Sequence, residues 1–139
     1  MNLHIRSDLK PHHHPVTRRK SDMGAMAYFS GCAAEAGVAR DYVDRGYNLL
    51  ENRWQGHSGE IDLIFSDAGV LVFVEVKKAV SFDAAASRLS VAQARRIHLA
   101  AEEYLAHMPS GALTDMRFDL ALCNQVGAIE IREGAFSHF

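Results

Sequence analysis

No apolar run in the chain approaches the ~20 residues that cross a bilayer, so no membrane span is expected. The first residues also lack the apolar core of a secretory signal, and the expected location is the cytoplasm. Cysteine is scarce: Cys32 and Cys123 are the only two, far apart and outside any Cys-x-x-Cys spacing. They read as two reduced thiols rather than a disulfide framework. Positive charge is not in surplus either. A formal net charge of −2 and a pI near 6.4 exclude a generic basic nucleic-acid binder. A nucleic-acid partner would have to meet positive charge gathered on one side. A metal-assisted nuclease passes this filter, because such an enzyme carries acids at its centre.

What remains is a chain of 139 residues, 48% apolar and 23% charged, suited to one domain with its own core. Residues 1–22 hold two prolines, His12-His13-His14 and the basic run Arg18-Arg19-Lys20, with few apolar side chains. They are expected to be a disordered basic, His-containing leader, leaving 23–139 as a single domain. The His triplet is a conceivable metal binder and the basic run a phosphate contact; a solvated tail is the simpler reading of both.

From Met23 to Arg45 apolar residues recur at three- and four-residue steps, through Phe29, Cys32, Ala36, Ala39 and Val43. That spacing predicts a helix capped by Ser21 or Asp22 and ended by Gly46. Glu35 falls at the border of its buried stripe, beside Val38, Ala39 and Tyr42. Strands are predicted at Tyr47–Trp54, Glu60–Phe65 and Val70–Lys77, followed by a mobile loop over Lys78–Leu89. Ser90 opens a second helix with Gln93 three residues on, as in a capping box, and Pro109-Ser110-Gly111 stops it. A strand at Met116–Cys123 and a short one at Ala128–Ile131 complete the order.

Within the predicted hairpin, "SGEIDLIFSDAGVLVFVEVKKA", charged residues interrupt runs that are otherwise apolar. Strand alternation puts Glu60 and Asp62 on one face with Ile64, and Glu75 and Lys77 on one face with Leu71 and Phe73. A turn centred on Asp67-Ala68 would place Glu60 opposite Glu75 and make Asp62 a diagonal neighbour of Glu75. Carboxylates converging in this way bracket a hard cation such as Mg²⁺, whose shell is completed by water and phosphate oxygens. Lys77 points the same way, suited to orienting a water or offsetting phosphate charge. The rival reading is a wet hairpin face with an internal ion pair between Lys77 and Glu75 or Asp62. Burial favours the site, since "LVFVEV" reads as a central strand, where an unpaired charge is costly.

The order of "GEIDLI", "LVFVEVK", a helix ending "AAEEYL" and a strand beginning "RFDL" resembles the YraN-type family of small bacterial proteins. That family is similar to the restriction-endonuclease-like, PD-(D/E)xK superfamily, including the Holliday-junction-resolvase branch. The resemblance covers about Gly31 to Phe136. It implies an α/β fold with an αβββαβ core, a mixed sheet flanked by helices. It also implies Mg²⁺ or Mn²⁺ on Asp62 and Glu75, Lys77 as the motif lysine, and Glu35 as a helix-borne acid and further metal ligand. The activity so implied is endonucleolytic cleavage of DNA, in branched or damaged structures, by a cytoplasmic enzyme that resolvase-like relatives suggest is a homodimer. A non-catalytic module binding nucleic acid or protein on the same fold is the alternative. Two positions depart from the family pattern: Ala79 stands where a basic residue is usual, and Gln93 where a lysine is.

Overall fold

The computed structural model describes residues 23–109, 111 and 114–138, with side chains from 33 onward. The leader with His12–His14 and Arg18–Lys20, the caps Ser21 and Asp22, the side chains of Phe29 and Cys32, and Ser110 lie outside the described residues. Helix α1 (Met23–Asp44) leads into strands β1 (Asn48–Gln55), β2 (Glu60–Asp67) and β3 (Val70–Lys78). Helices α2 (Phe82–Ala86) and α3 (Val91–Leu105) follow, then β4 (Asp115–Cys123) and β5 (Ile129–Arg132). The five strands form one sheet in chain order. β3 and β4 run parallel and every other pair antiparallel, so the sheet is mixed. A parallel pair needs a long crossover, and the segment carrying α2 and α3 supplies it.

Each face of the sheet carries a helix, as the apolar alternation of β3 requires. Val72 and Val74 pack with Leu63, Phe65 and the α1 residues Val38, Ala39 and Tyr42. Leu71 and Phe73 pack with Ile64, Phe118 and the α3 residues Ile97, Ala101 and Tyr104. The strand is therefore apolar on both sides until Glu75, as expected of a central strand.

Two predicted features come out differently for identifiable reasons. The stretch expected as a mobile loop contains α2, whose five residues are too few for a readable period. Ser81 caps it by accepting from the Ala84 N–H at 3.1 Å, and Arg88 Nη1 donates to the Lys78 carbonyl at 2.8 Å. Helix α3 ends at Leu105 rather than at the proline, because His107 and Met108 N–H groups bond three residues back and tighten the last turn.

The hairpin register also differs, by two residues. Asp67 pairs with Val70, so Ala68 and Gly69 form the turn, at φ 50° and 85°. Two central residues at positive φ make the type I′ turn, whose twist matches the strands. A two-residue shift leaves every side chain on its predicted face while moving each partner along. The last paired residues are Leu63 and Val74, so the next position sets Asp62 beside Glu75 and not Glu60. Ile61 departs from its predicted face, joining Ile64 under α3 rather than Leu63 and Phe65 under α1. The change of face occurs at Asp62, opposite Arg53, which holds a left-handed φ of 56° in β1.

Candidate active site

Beyond Leu63 and Val74 the carboxylate of Asp62 takes over from the β-ladder. Its Oδ2 accepts the backbone N–H of Val76 at 2.8 Å. The side chain of Asp62 is thereby fixed against β3, next to Glu75. Glu75 is buried, 5% exposed, at the end of the apolar run. Its Oε2 receives Nε2 of Gln93 at 3.0 Å and faces Lys77 Nζ at 3.2 Å. Gln93 can reach because Ser90 caps α3 through the Gln93 backbone N–H. Only half of the predicted capping box forms: the glutamine side chain goes to Glu75.

The electrostatics record the crowding of acids. Burial and then the charge of Asp62 push the Glu75 carboxyl up to about 8, against the pull of Lys77. Asp62 is also raised, by burial, although the Val76 N–H opposes the rise. When Glu75 carries a proton, it shares it with Asp62. Glu35 comes from α1, with its carboxyl raised to about 7 by burial and then by Asp62. Arg53 partly offsets this through a 3.0 Å bond from Nε to Oε1 of Glu35. The left-handed backbone of Arg53 thus sits where its side chain engages the predicted auxiliary acid, an arrangement typical of functional sites.

Asp62, Glu75, Gln93 and Arg96 line a cavity of about 160 Å³, together with Gly59, Glu60 and Ile97. Arg96 is the cation at this cavity, whereas Arg88 is bonded to the Lys78 backbone. Among the described residues no group of three or more His, Cys, Asp or Glu side chains is gathered as a metal-binding cluster. The donor set is a carboxylate pair. Two hard oxygen donors with raised pKa values suit an octahedral Mg²⁺ or Mn²⁺ that keeps several waters. Binding of such an ion would offset the burial that raises both acids and the charge of Asp62 that adds to it at Glu75.

Other polar and aromatic residues build the scaffold around this pair. Asp119, fully buried, accepts from Tyr42 Oη at 2.8 Å, Arg117 Nε at 2.8 Å and the Gly134 N–H at 2.8 Å. Through these bonds Asp119 ties α1, hence Glu35, to β4. His98 is stacked on Phe118 with ring centroids 3.8 Å apart. Trp54 packs edge-on against Tyr104, 5.2 Å between centroids. Sequence reading missed Glu103, which accepts the N–H groups of His57 at 2.6 Å and Ser58 at 2.9 Å. That carboxylate anchors the turn leading into Glu60, from 45 residues away. At Gly56 a Cβ would lie 2.5 Å from Glu103 Oε1, so a side chain there would displace that carboxylate.

A five-stranded mixed sheet with α1 on one face, α2 and α3 on the other, and acids at the fork of β2 and β3 is the arrangement of a restriction-endonuclease-like core. Residues 34–123 match the model of the Uncharacterised protein family UPF0102, and the chain belongs to that family, in keeping with the YraN-type resemblance. It is similar to a UPF0102 protein of Roseobacter denitrificans, 50% identical over 88% of this chain and 95% of the relative. A UPF0102 protein of Ruegeria pomeroyi is 50% identical over 83% of this chain and 94% of the relative. One from Cereibacter sphaeroides is 48% identical over 82% and 97%. Among the described residues no helix is long and apolar enough to cross a membrane.

Proposed function

We propose that this protein is a metal-dependent endonuclease that hydrolyses phosphodiester bonds of DNA, with branched or damaged DNA as the substrate class. One observation carries the reading: Asp62 and Glu75 meet at an open cavity, both raised in pKa, with Lys77 Nζ 3.2 Å from Glu75. Mg²⁺ or Mn²⁺ on Asp62 and Glu75 would supply Lewis-acid polarisation of the phosphate and a more acidic bound water. The Val76 N–H orients Asp62, and Gln93 orients Glu75. Lys77 positions the attacking water or offsets charge gathering on the phosphate, and Arg96 holds a flanking phosphate. Glu35, raised to about 7, is suited to accept a proton near neutral pH or to add a ligand oxygen. A homodimer belongs to the proposal through the resolvase resemblance and is checked by sedimentation. The test is a panel of linear, nicked, flapped and four-way DNA with Mg²⁺ or Mn²⁺. Cleavage that disappears in Asp62→Ala supports the reading, and equal cleavage by that variant overturns it.

A second reading has its own observation. Glu75 is already bonded within the chain by Gln93 and Lys77, as a structural ion pair would be. A non-catalytic module for nucleic acid or protein would then bind its partner in chelator, and Glu75→Gln would bind as well as wild type.

A further inference from the structure

Beside the carboxylate pair lies a second, larger depression. A cleft of about 560 Å³ is lined by Trp54, Gln55, Gly56, His57, Glu103, Ala106 and His107. Its volume falls within the roughly 300–1,000 Å³ of sites that take small organic molecules, far beyond the need of an ion. One loop joins the two cavities. Gly56 lines the cleft and Gly59 the smaller cavity, and the Gly56 N–H closes this loop on the Gly59 carbonyl at 2.9 Å. They also share one side of α3: Arg96 borders the small cavity and Glu103, seven residues on, the cleft. Seven residues at 1.5 Å each separate them by about 10 Å. Roughly three stacked nucleotides span that distance at 3.4 Å each.

The chemistry of the walls selects a base over a phosphate. Trp54 offers the half-buried ring, steadied edge-on by Tyr104. Glu103 sets a carboxylate in the wall, its pKa lowered by bonds from Ser58 and His57, so it stays charged and repels phosphate. The histidines at 57 and 107 are exposed and supply planar polar rims. Aromatic side chains stack on any base, because every base has a π-face.

We propose that this cleft receives an unpaired nucleobase of the strand whose phosphodiester lies at Asp62 and Glu75. The proposal rests on the nuclease reading above and narrows its substrate to DNA with unpaired nucleotides within a few positions of the cut. A base in an intact duplex would first have to leave the stack, which disfavours fully paired DNA.

Trp54 is the only tryptophan, so its intrinsic emission reports on the cleft directly. The full chain in chelator is titrated with a short single-stranded DNA, the same length of abasic strand, and the corresponding blunt duplex. Saturable quenching by the single strand alone is expected. Ala106→Phe, which fills the cleft from an exposed position, should weaken that binding about tenfold with thermal stability retained. Unchanged Trp54 emission while the single strand binds would overturn the proposal, as would wild-type affinity in Ala106→Phe. The two readings fail separately. Quenching without cleavage in Mn²⁺ supports the base site and counts against the nuclease; cleavage with unchanged emission does the reverse.

Discussion

Gln93 Nε2 and Lys77 Nζ converge on the same oxygen of Glu75, at 3.0 and 3.2 Å. The glutamine, which departs from the lysine that the resemblance implies, holds Glu75 without adding charge. Gln93→Lys would place a second ammonium at this oxygen. The Glu75 carboxyl should then fall from about 8, since an opposite charge favours its ionised form. DNA binding should tighten and its logarithmic salt dependence steepen by about one. Fluorescence anisotropy over a salt series checks both.

The raised acids also set a sign for stability against pH. Glu75 at about 8 and Glu35 at about 7 bind protons more tightly folded than unfolded. Their contribution is whole below the unfolded value near 4.5 and is lost as pH rises through about 7 to 8. Metal-free protein should therefore melt at progressively lower temperature between pH 5 and 8.5, in a range where most proteins are nearly level. Mn²⁺ should flatten the decline, and Glu75→Gln should reduce it. Differential scanning calorimetry across this range, with and without the ion, gives the answer; a melting temperature that rises with pH contradicts the assignment.

Glu103→Ala should release the turn at His57 and Ser58. Two backbone donors lose a charged acceptor and turn to solvent instead. Hydrogen exchange should rise at residues 56–59 while β3 and β4 stay protected. Protection unchanged in the loop would show that other contacts hold it.

Ala68 holds a φ of 50° in a turn whose sequence preference is Asn-Gly. A non-glycine residue there costs roughly 1–2 kcal/mol relative to its ordinary conformation, and asparagine relieves part of this. Ala68→Asn should stabilise the fold by about 0.5–1 kcal/mol in urea unfolding, with cleavage unaffected.

These residues also show how far the sequence could be read. Glu75 and Lys77 were visible because charge inside a run apolar on both faces is costly, and the structure makes Glu75 buried and paired. The Arg117–Asp119 ion pair is one that strand alternation allows, since residues at i and i+2 share a face. The turn was ambiguous: "SDAG" closes on Asp67-Ala68 or on Ala68-Gly69, and positive φ at Gly69 decides for the second. Faces survived that error because the shift was even, apart from Ile61, which packs under α3. Glu103 and the Arg53–Glu35 bond left no signal, because long-range partners and a single left-handed residue follow from the packed structure. Gln93 was noticed only as a departure; its reach to Glu75 needed the position of α3.

The central claim is that Asp62 and Glu75 form a metal-dependent hydrolytic pair, and single-turnover cleavage of a 5′-flapped DNA in Mn²⁺ tests it most directly. Wild type and Asp62→Asn are compared at equal, saturating protein, each shown to be folded by circular dichroism. The expected result is cleavage by wild type, abolished by chelator and slowed at least ~100-fold in Asp62→Asn, about 2.7 kcal/mol of barrier. Equal rates in the two proteins, or a rate indifferent to chelator, would contradict it.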